Sequence, residues 1–254
     1  MIGCACAVCT STDPRDTRLR SGACLRFTDP SGQERVILID ATPDLRQQAL
    51  THKIQRCDAI LFTHNHVDHT FGLDEVRRFN VVQRAPVSVY ADAHTTASLR
   101  RVYQHIFDRG ANVNDSFVAD VILWPMQAFE AFDLCGVRVT PIRLLHGRLP
   151  ILGFRFDAAW AKSGALPLAY CTDVSAVPPE TWPHLEGLGT LVLDALRHKH
   201  HPTHLTVQQA VGIAERVGAQ NTYFTHIAHD LSHAETEQAL PDGMHLGFDG
   251  LSLA

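Results

Sequence analysis

The sequence predicts an α/β layered domain. Short apolar strands alternate along the chain with amphipathic segments of helical period. No Pro/Gly/Ser-rich linker, repeat or low-complexity stretch interrupts them. The 254 residues, 45% hydrophobic, are enough to bury one large core as a single domain over residues 1–254. Potential metal ligands also gather where apolar strands give way to loops, which is where layered folds carry their chemistry.

The N-terminus reads Gly3-Cys4-Ala5-Cys6-Ala7-Val8-Cys9. Three cysteines at C-x-C-x-x-C spacing can offer three thiolates to one tetrahedral metal and leave a fourth position open. His229, in Thr225-His226-Ile227-Ala228-His229, is the candidate for that position, giving a structural zinc. Disulfides are the alternative. The seven cysteines are an odd count, and Met1 to Cys9 has neither a charged nor an apolar signal region, so a reducing cytoplasm is expected. Cys24, Cys57, Cys135 and Cys171 lie in apolar or strand-like surroundings and are read as core residues.

Strand-like stretches follow at 23–28, 35–39, 59–63 and 87–90. Asp40 closes the apolar run Val36-Ile37-Leu38-Ile39, where it can cap the turn before Pro43. The stretch at 59–63 opens into Thr63-His64-Asn65-His66-Val67-Asp68-His69. Alternate residues of an extended chain point the same way, so His64 and His66 can share one metal. Asp68 and His69, in the following turn, can serve a second. Imidazoles with a carboxylate suit zinc, manganese or iron, and two such ions can activate one water. Helical pattern covers 43–50, 71–79, 93–107 and 206–217, the last closed by Gly218. Later strands are expected at 137–141, 151–156, 168–172, 190–194 and 222–225.

The H-x-H-x-D-H run after a buried strand resembles the metallo-β-lactamase superfamily of metallohydrolases. That resemblance implies an αββα sandwich, two facing sheets flanked by helices. It also implies further ligands at later strand ends: His146 after the apolar run 137–145, Asp173 after 168–172 and His226 after 222–225. Carried over, the family's roles give His64, His66 and His146 to one metal and Asp68, His69 and His226 to the other. Asp173 would bridge the two, with Asp40 supporting the ligands. The cysteine motif together with T-H-I-x-H narrows the resemblance to the superfamily's phosphodiesterase branch. Its best-known type is the PhnP-type phosphoribosyl cyclic phosphate phosphodiesterase. In that branch a histidine before a late helix is catalytic, and His204, within 198–206, takes its place as general acid. Asp68 and Asp173 complete the catalytic set. The branch usually begins with a strand and a Gly-Thr-Gly turn, whereas this sequence starts at Met1-Ile2-Gly3. A truncated start or a missing edge strand would account for that.

The activity implied is hydrolysis of a small cyclic phosphate by a hydroxide bridging two divalent metals, zinc or manganese. An RNA-processing nuclease of the same superfamily and a non-enzymatic metal-binding scaffold are the alternatives. The formal net charge of −5 argues against a non-specific nucleic-acid surface. No apolar run reaches the length of a membrane span. The expected partner is therefore a small anionic phosphodiester, with the oligomeric state open, a homodimer included. Arg15, Arg18 and Arg20 are either phosphate contacts or a solvated charged segment. Residues 93–113, with Arg100, Arg101 and Tyr103, are either a cap over the site or a surface helix. His52, His94, His105, His184, His233 and His245 have no ligand spacing, and His198, His200 and His201 read as a solvated loop.

Overall fold

A computed structural model describes residues 1–108, 110, 112 and 117–253. By contact the chain divides into two compact units, residues 20–127 and residues 1–19 with 128–254.

The 20–127 unit is a five-stranded sheet in sequence order: β1 (Ala23–Thr28), β2 (Glu34–Ile39), β3 (Ala59–Leu61), β4 (Val87–Ala91) and β5 (Val121–Pro125). β1 and β2 form an antiparallel hairpin, and β2 to β5 run parallel. β3 and the last four residues of β2 are wholly buried, as expected of central parallel strands covered on both faces. Crossovers carry α1 (Leu45–Thr51), α2 (Val67–Thr70), α3 (Arg77–Gln83), α4 (Ala93–Val102) and α5 (Gln104–Phe107). Val36, Leu38, Ile60, Phe62, Leu73, Phe79, Val89 and Leu99 form its core. Each such side chain contributes about 1.5–3 kcal/mol on full burial.

The second unit is a seven-stranded sheet. Its strands are β6 (Phe132–Leu134), β7 (Val137–His146), β8 (Leu149–Asp157), β9 (Leu168–Cys171), β10 (Thr190–Asp194), β11 (Asn221–Thr225) and β12 (Met244–Leu246). β6 to β9 pair antiparallel, then β9 to β12 run parallel. Its helices are α6 (Val207–Val217) and α7 (His233–Ala239). α6 starts on a capping box between Thr206 and Gln209 and stops at Gly218, φ +65°, as its sequence pattern predicts.

Two expected helices are broken. The 71–79 pattern becomes a 3₁₀ turn at Leu73–Val76 followed by α3. Gly72 lies so close to residue 42 that an added Cβ would fall 2.0 Å from the Thr42 carbonyl oxygen, so the chain turns there on the one residue that fits. The 93–107 pattern divides at Tyr103, a buried residue whose hydroxyl donates to the Thr70 carbonyl at 2.9 Å. Arg100 and Arg101 are exposed. Arg109, Ala111 and Val113, also in the 93–113 stretch, lie outside the described residues. Of the four cysteines assigned to the core, Cys57 and Cys171 are buried. Cys24 instead faces outward on β1, and Cys135 is half-buried in the β6–β7 turn.

Candidate metal centres

In parallel α/β sheets the carboxyl ends of the strands are where ligands bind, and here they carry most of the chemistry. In the 20–127 unit, Asp40 follows β2 and His64 follows β3. Asp40 holds the left-handed φ of +65°, an uncommon value for a non-glycine residue and one that clusters at functional sites. Its carboxylate is buried. Oδ1 accepts the Thr63 backbone N–H at 2.8 Å, and the Thr63 hydroxyl donates to Oδ2 at 2.9 Å. The same hydroxyl accepts the His64 Nδ1–H at 2.9 Å, while His69 donates Nδ1–H to Asp40 Oδ2 at 2.7 Å. One carboxylate thus fixes the tautomer of two histidines, so that Nε2 of each is the atom that could coordinate a metal. The His64 ring lies 4.6 Å from His66 and 4.3 Å from His69, centroid to centroid. Asp68 Oδ2 sits 3.9 Å from His69 Nε2. Burial pushes the Asp40 carboxyl up, against the pull of His69 beside it. A metal ion, if these histidines held one, would be a positive partner for that buried carboxylate.

The other unit repeats the device. Asp173 follows β9, Asp194 ends β10 and His226 follows β11, so three neighbouring parallel strands present their ends together. Asp173 and His226 both hold φ of +57°. His226 Nε2 lies 3.5 Å from Asp173 Oδ2, and its Nδ1 lies 3.5 Å from Asp194 Oδ1. His146, ending β7, donates Nδ1–H to the Asp173 carbonyl at 2.9 Å, again leaving Nε2. The turn after it uses Gly147 at φ +62°, where a Cβ would fall 2.9 Å from the Thr203 methyl. His204 donates Nδ1–H to Asp194 Oδ1 at 3.1 Å, and the Leu205 backbone N–H binds Oδ2 at 2.9 Å. The His204 ring stacks on His226 at 4.7 Å and meets His146 edge-on at 4.6 Å. His146, Asp173 and His204 offer ligand atoms within 4.8 Å of one another. Asp194 is fully buried, and that burial pushes its carboxyl well up. Sequence reasoning missed this residue, although the signal was present: an aspartate closing Leu191-Val192-Leu193, as Asp40 closes β2.

Cys4, Cys6, Cys9 and His229 come together within the second unit, with each sulfur 3.5 Å from His229 Nδ1. Tetrahedral zinc, with about 2.3 Å to sulfur and about 2.0–2.1 Å to nitrogen, requires an edge of roughly 3.5 Å. The donor set fits it. The Cys9 backbone N–H donates to Cys6 Sγ at 3.4 Å and, with His229 after it, draws the Cys6 thiol down to about 6.

The three candidate arginines separate. Arg15 lies along the Asp13 carboxylate, with Nη2 2.7 Å from Oδ2. Arg18 is half-buried and donates to the carbonyls of Ala228 and Leu231 at 3.0 and 2.7 Å. Arg20 is exposed, with Nη1 3.4 Å from Asp68 Oδ2. Among the remaining histidines, His105 meets Asp74 and His245 meets Glu237, while His184 stacks on Phe129.

The sequence matches the model of the beta-lactamase superfamily domain over residues 35–227. A solved structure described as a new diphosphatase from the PhnP family is 42% identical, with a TM-score of 0.85, covering 99% of this chain and 89% of that one. Zinc-bound PqqB from Methylobacterium extorquens, 20% identical at a TM-score of 0.72, covers 100% of this chain and 94% of its own and shares the fold. Human tRNase Z, short form, also shares it, at 18% identity and a TM-score of 0.68, covering 94% and 95%. A curated relative, the octanoyltransferase of Porphyromonas gingivalis (strain ATCC BAA-308 / W83), is 34% identical over 252 residues. The match covers 98% of this chain and 48% of that protein, so the chain spans about half the relative's length.

Proposed function

Because this chain belongs to the beta-lactamase superfamily, and its fold is that of PhnP-like metallohydrolases, we propose that it is a metal-dependent phosphodiesterase acting on a small cyclic phosphate. The proposed catalytic ligands are His64, His66, Asp68, His69, His146, Asp173 and His226. Cys4, Cys6, Cys9 and His229 are the proposed structural zinc ligands. Two divalent ions, zinc or manganese, would supply water activation near neutral pH and neutralise charge on the phosphoryl group.

The chain's own residues do the rest. Asp40 orients His69 directly and His64 through Thr63, so both enter the reaction with one tautomer and one ring orientation. Opening a cyclic phosphate expels an alkoxide, which needs a proton. His204 is the proposed donor, through Nε2–H. Its Nδ1 lies 3.1 Å from Asp194 Oδ1, which orients the ring for that transfer. That histidine–aspartate pair at the end of β10 is the observation that carries the phosphoester reading.

A diphosphate is the second reading, favoured by the 42% identical PhnP-family relative described as a diphosphatase. The octanoyltransferase name belongs to a protein about twice as long as the match and is not carried over. Phosphorus NMR of metal-loaded protein with a panel of small cyclic phosphates and diphosphates separates the readings. Regiospecific opening to a monoester that stops on chelation supports the first, and cleavage of diphosphates alone supports the second. No turnover of any member, with metals present, contradicts both.

A further inference from the structure

The loop between β10 and α6 reads in sequence as solvated, and His198, Lys199 and His200 are exposed. His201 is half-buried instead. Hydrogen bonds hold the loop in shape. The Leu196 N–H donates to the Leu205 carbonyl at 3.0 Å and the Val207 N–H to the Arg197 carbonyl at 3.1 Å, which closes its two ends. Inside it, the Arg197 guanidinium donates to the Lys199 and His200 carbonyls, both at 3.2 Å. The Thr203 methyl rests against Gly147, in the turn after His146, so closely that a Cβ at Gly147 would fall 2.9 Å from it.

Thr203 in turn locks the imidazole of His201. Its backbone N–H donates to His201 Nδ1 at 3.4 Å, with its hydroxyl 3.1 Å from the same nitrogen. A backbone N–H can only donate, so Nδ1 carries the lone pair and the neutral ring has its hydrogen on Nε2. Burial, with His204 and Arg197 nearby, draws the imidazole below its usual value and favours that neutral form. Nε2–H meets no acceptor among the described residues. The ring stands 5.0 Å from the His204 ring, centroid to centroid, and is tilted by 53°. Two donors sharing one oxygen at about 2.7–3.1 Å stand roughly 4–5.5 Å from each other. Neighbouring rings at this distance can supply that separation.

We propose that His201 is a second donor to the departing oxygen, its Nε2–H hydrogen-bonding the alkoxide that forms while His204 protonates it. This deepens the proposed function and rests on it. The division of labour follows from the two Nδ1 partners. Asp194 accepts a hydrogen from His204 Nδ1, whereas Thr203 gives one to His201 Nδ1. As the phosphorus–oxygen bond breaks, its electron pair stays on the leaving oxygen and the proton comes from His204 alone. His201 keeps its hydrogen throughout and only stabilises the charge that develops.

The test uses His201→Phe, which keeps a ring against His204 and removes the donor. On a cyclic alkyl phosphate its kcat falls roughly tenfold or more. Bis(4-nitrophenyl) phosphate, whose phenolate leaves without help, is hydrolysed at the wild-type rate. His201→Gln, with an amide N–H that reaches the position of Nε2, recovers part of the loss, and His200→Gln loses nothing. In a His204→Ala background, His201→Phe still lowers kcat on the alkyl ester by a similar factor. Equal losses on both esters would mark a ring needed only for folding, and no loss once His204 is gone would mark one acting through His204. Either result overturns the assignment. If the wild type opens no cyclic phosphate, the proposed function fails, and nitrogen NMR of histidine-labelled, zinc-loaded protein decides His201 separately. Its signals then show a bare Nδ1 and a hydrogen on Nε2, and saturating inorganic phosphate shifts the Nε2 signal. A hydrogen on Nδ1, or an Nε2 signal that phosphate leaves unmoved, contradicts the proposal.

Discussion

At the scale of single residues, two buried aspartates organise the chemistry. Asp40 and Asp194 each end or follow a parallel strand and hold histidines by Nδ1. Asp40 was legible because the motif at 63–69 drew attention to its strand. Asp194 closes its strand in the same way, but an aspartate after Leu193 also reads as an ordinary loop start, and only the sheet order sets it beside Asp173 and His226. Removing Asp40 takes the orienting bond from two proposed ligands. Asp40→Ala is expected to weaken catalytic metal affinity about 10–100-fold, measured by competition with a chromophoric chelator. His204 is the proposed proton donor to the leaving group. His204→Ala is expected to cut kcat about 10²–10⁴-fold on a cyclic alkyl phosphate. It should cost much less on bis(4-nitrophenyl) phosphate, whose phenolate leaves without a proton. Equal losses on both would remove the general-acid role.

Elements explain how distant residues meet and why sequence spacing only half predicts it. The parallel strands β2, β3, β4, β9, β10 and β11 were readable from apolar runs, and α6 from its pattern and the Thr206 and Gly218 caps. β5, β6, β12 and α7 were not, because segments of 3–7 residues that lean on neighbours carry little pattern of their own. The loop at 225–231 bears His226 and His229, and so serves both proposed metal sites. Arg18 clamps it. Its guanidinium holds the Ala228 and Leu231 carbonyls and pairs with Asp16, whose Oδ1 also accepts the His233 N–H at 2.8 Å. The sequence offered Arg18 as a phosphate contact or a solvated charge, but it is a strut. Arg18→Met is expected to destabilise the fold by about 1–3 kcal/mol and to speed zinc loss to a chelator. Wild-type zinc retention and Tm in that variant would dismiss the clamp.

For the whole molecule, the layered α/β class followed from alternating apolar and amphipathic segments, and the family match from residues 35–227 agrees with it. Among the described residues, no helix is long and apolar enough to cross a membrane. Acid should destabilise the chain through carboxylates remote from the metal motifs. The Ser31 hydroxyl and Arg35 hold Asp29 well below the usual carboxylate range. Burial alone would raise Asp58, but Arg56 and the Val36 N–H outweigh it and lower that carboxyl too. A depressed folded value means the stabilisation is fully present above the unfolded value of about 4 and is lost as pH falls through the folded one. Asp29→Asn should therefore lower Tm at pH 7, with the gap from wild type closing below about pH 4. A gap that stays constant down to pH 2 would exclude this linkage.

The most direct test of a metal-dependent phosphoester hydrolase is stepwise reconstitution. Protein stripped by chelator is titrated with zinc or manganese while bound metal per chain and cyclic-phosphate turnover are followed together. Turnover should return only as two ions bind beyond the one held by Cys4, Cys6, Cys9 and His229, and Asp173→Ala should bind that one and stay inactive. Full turnover in the stripped protein, or in Asp173→Ala, would contradict the account.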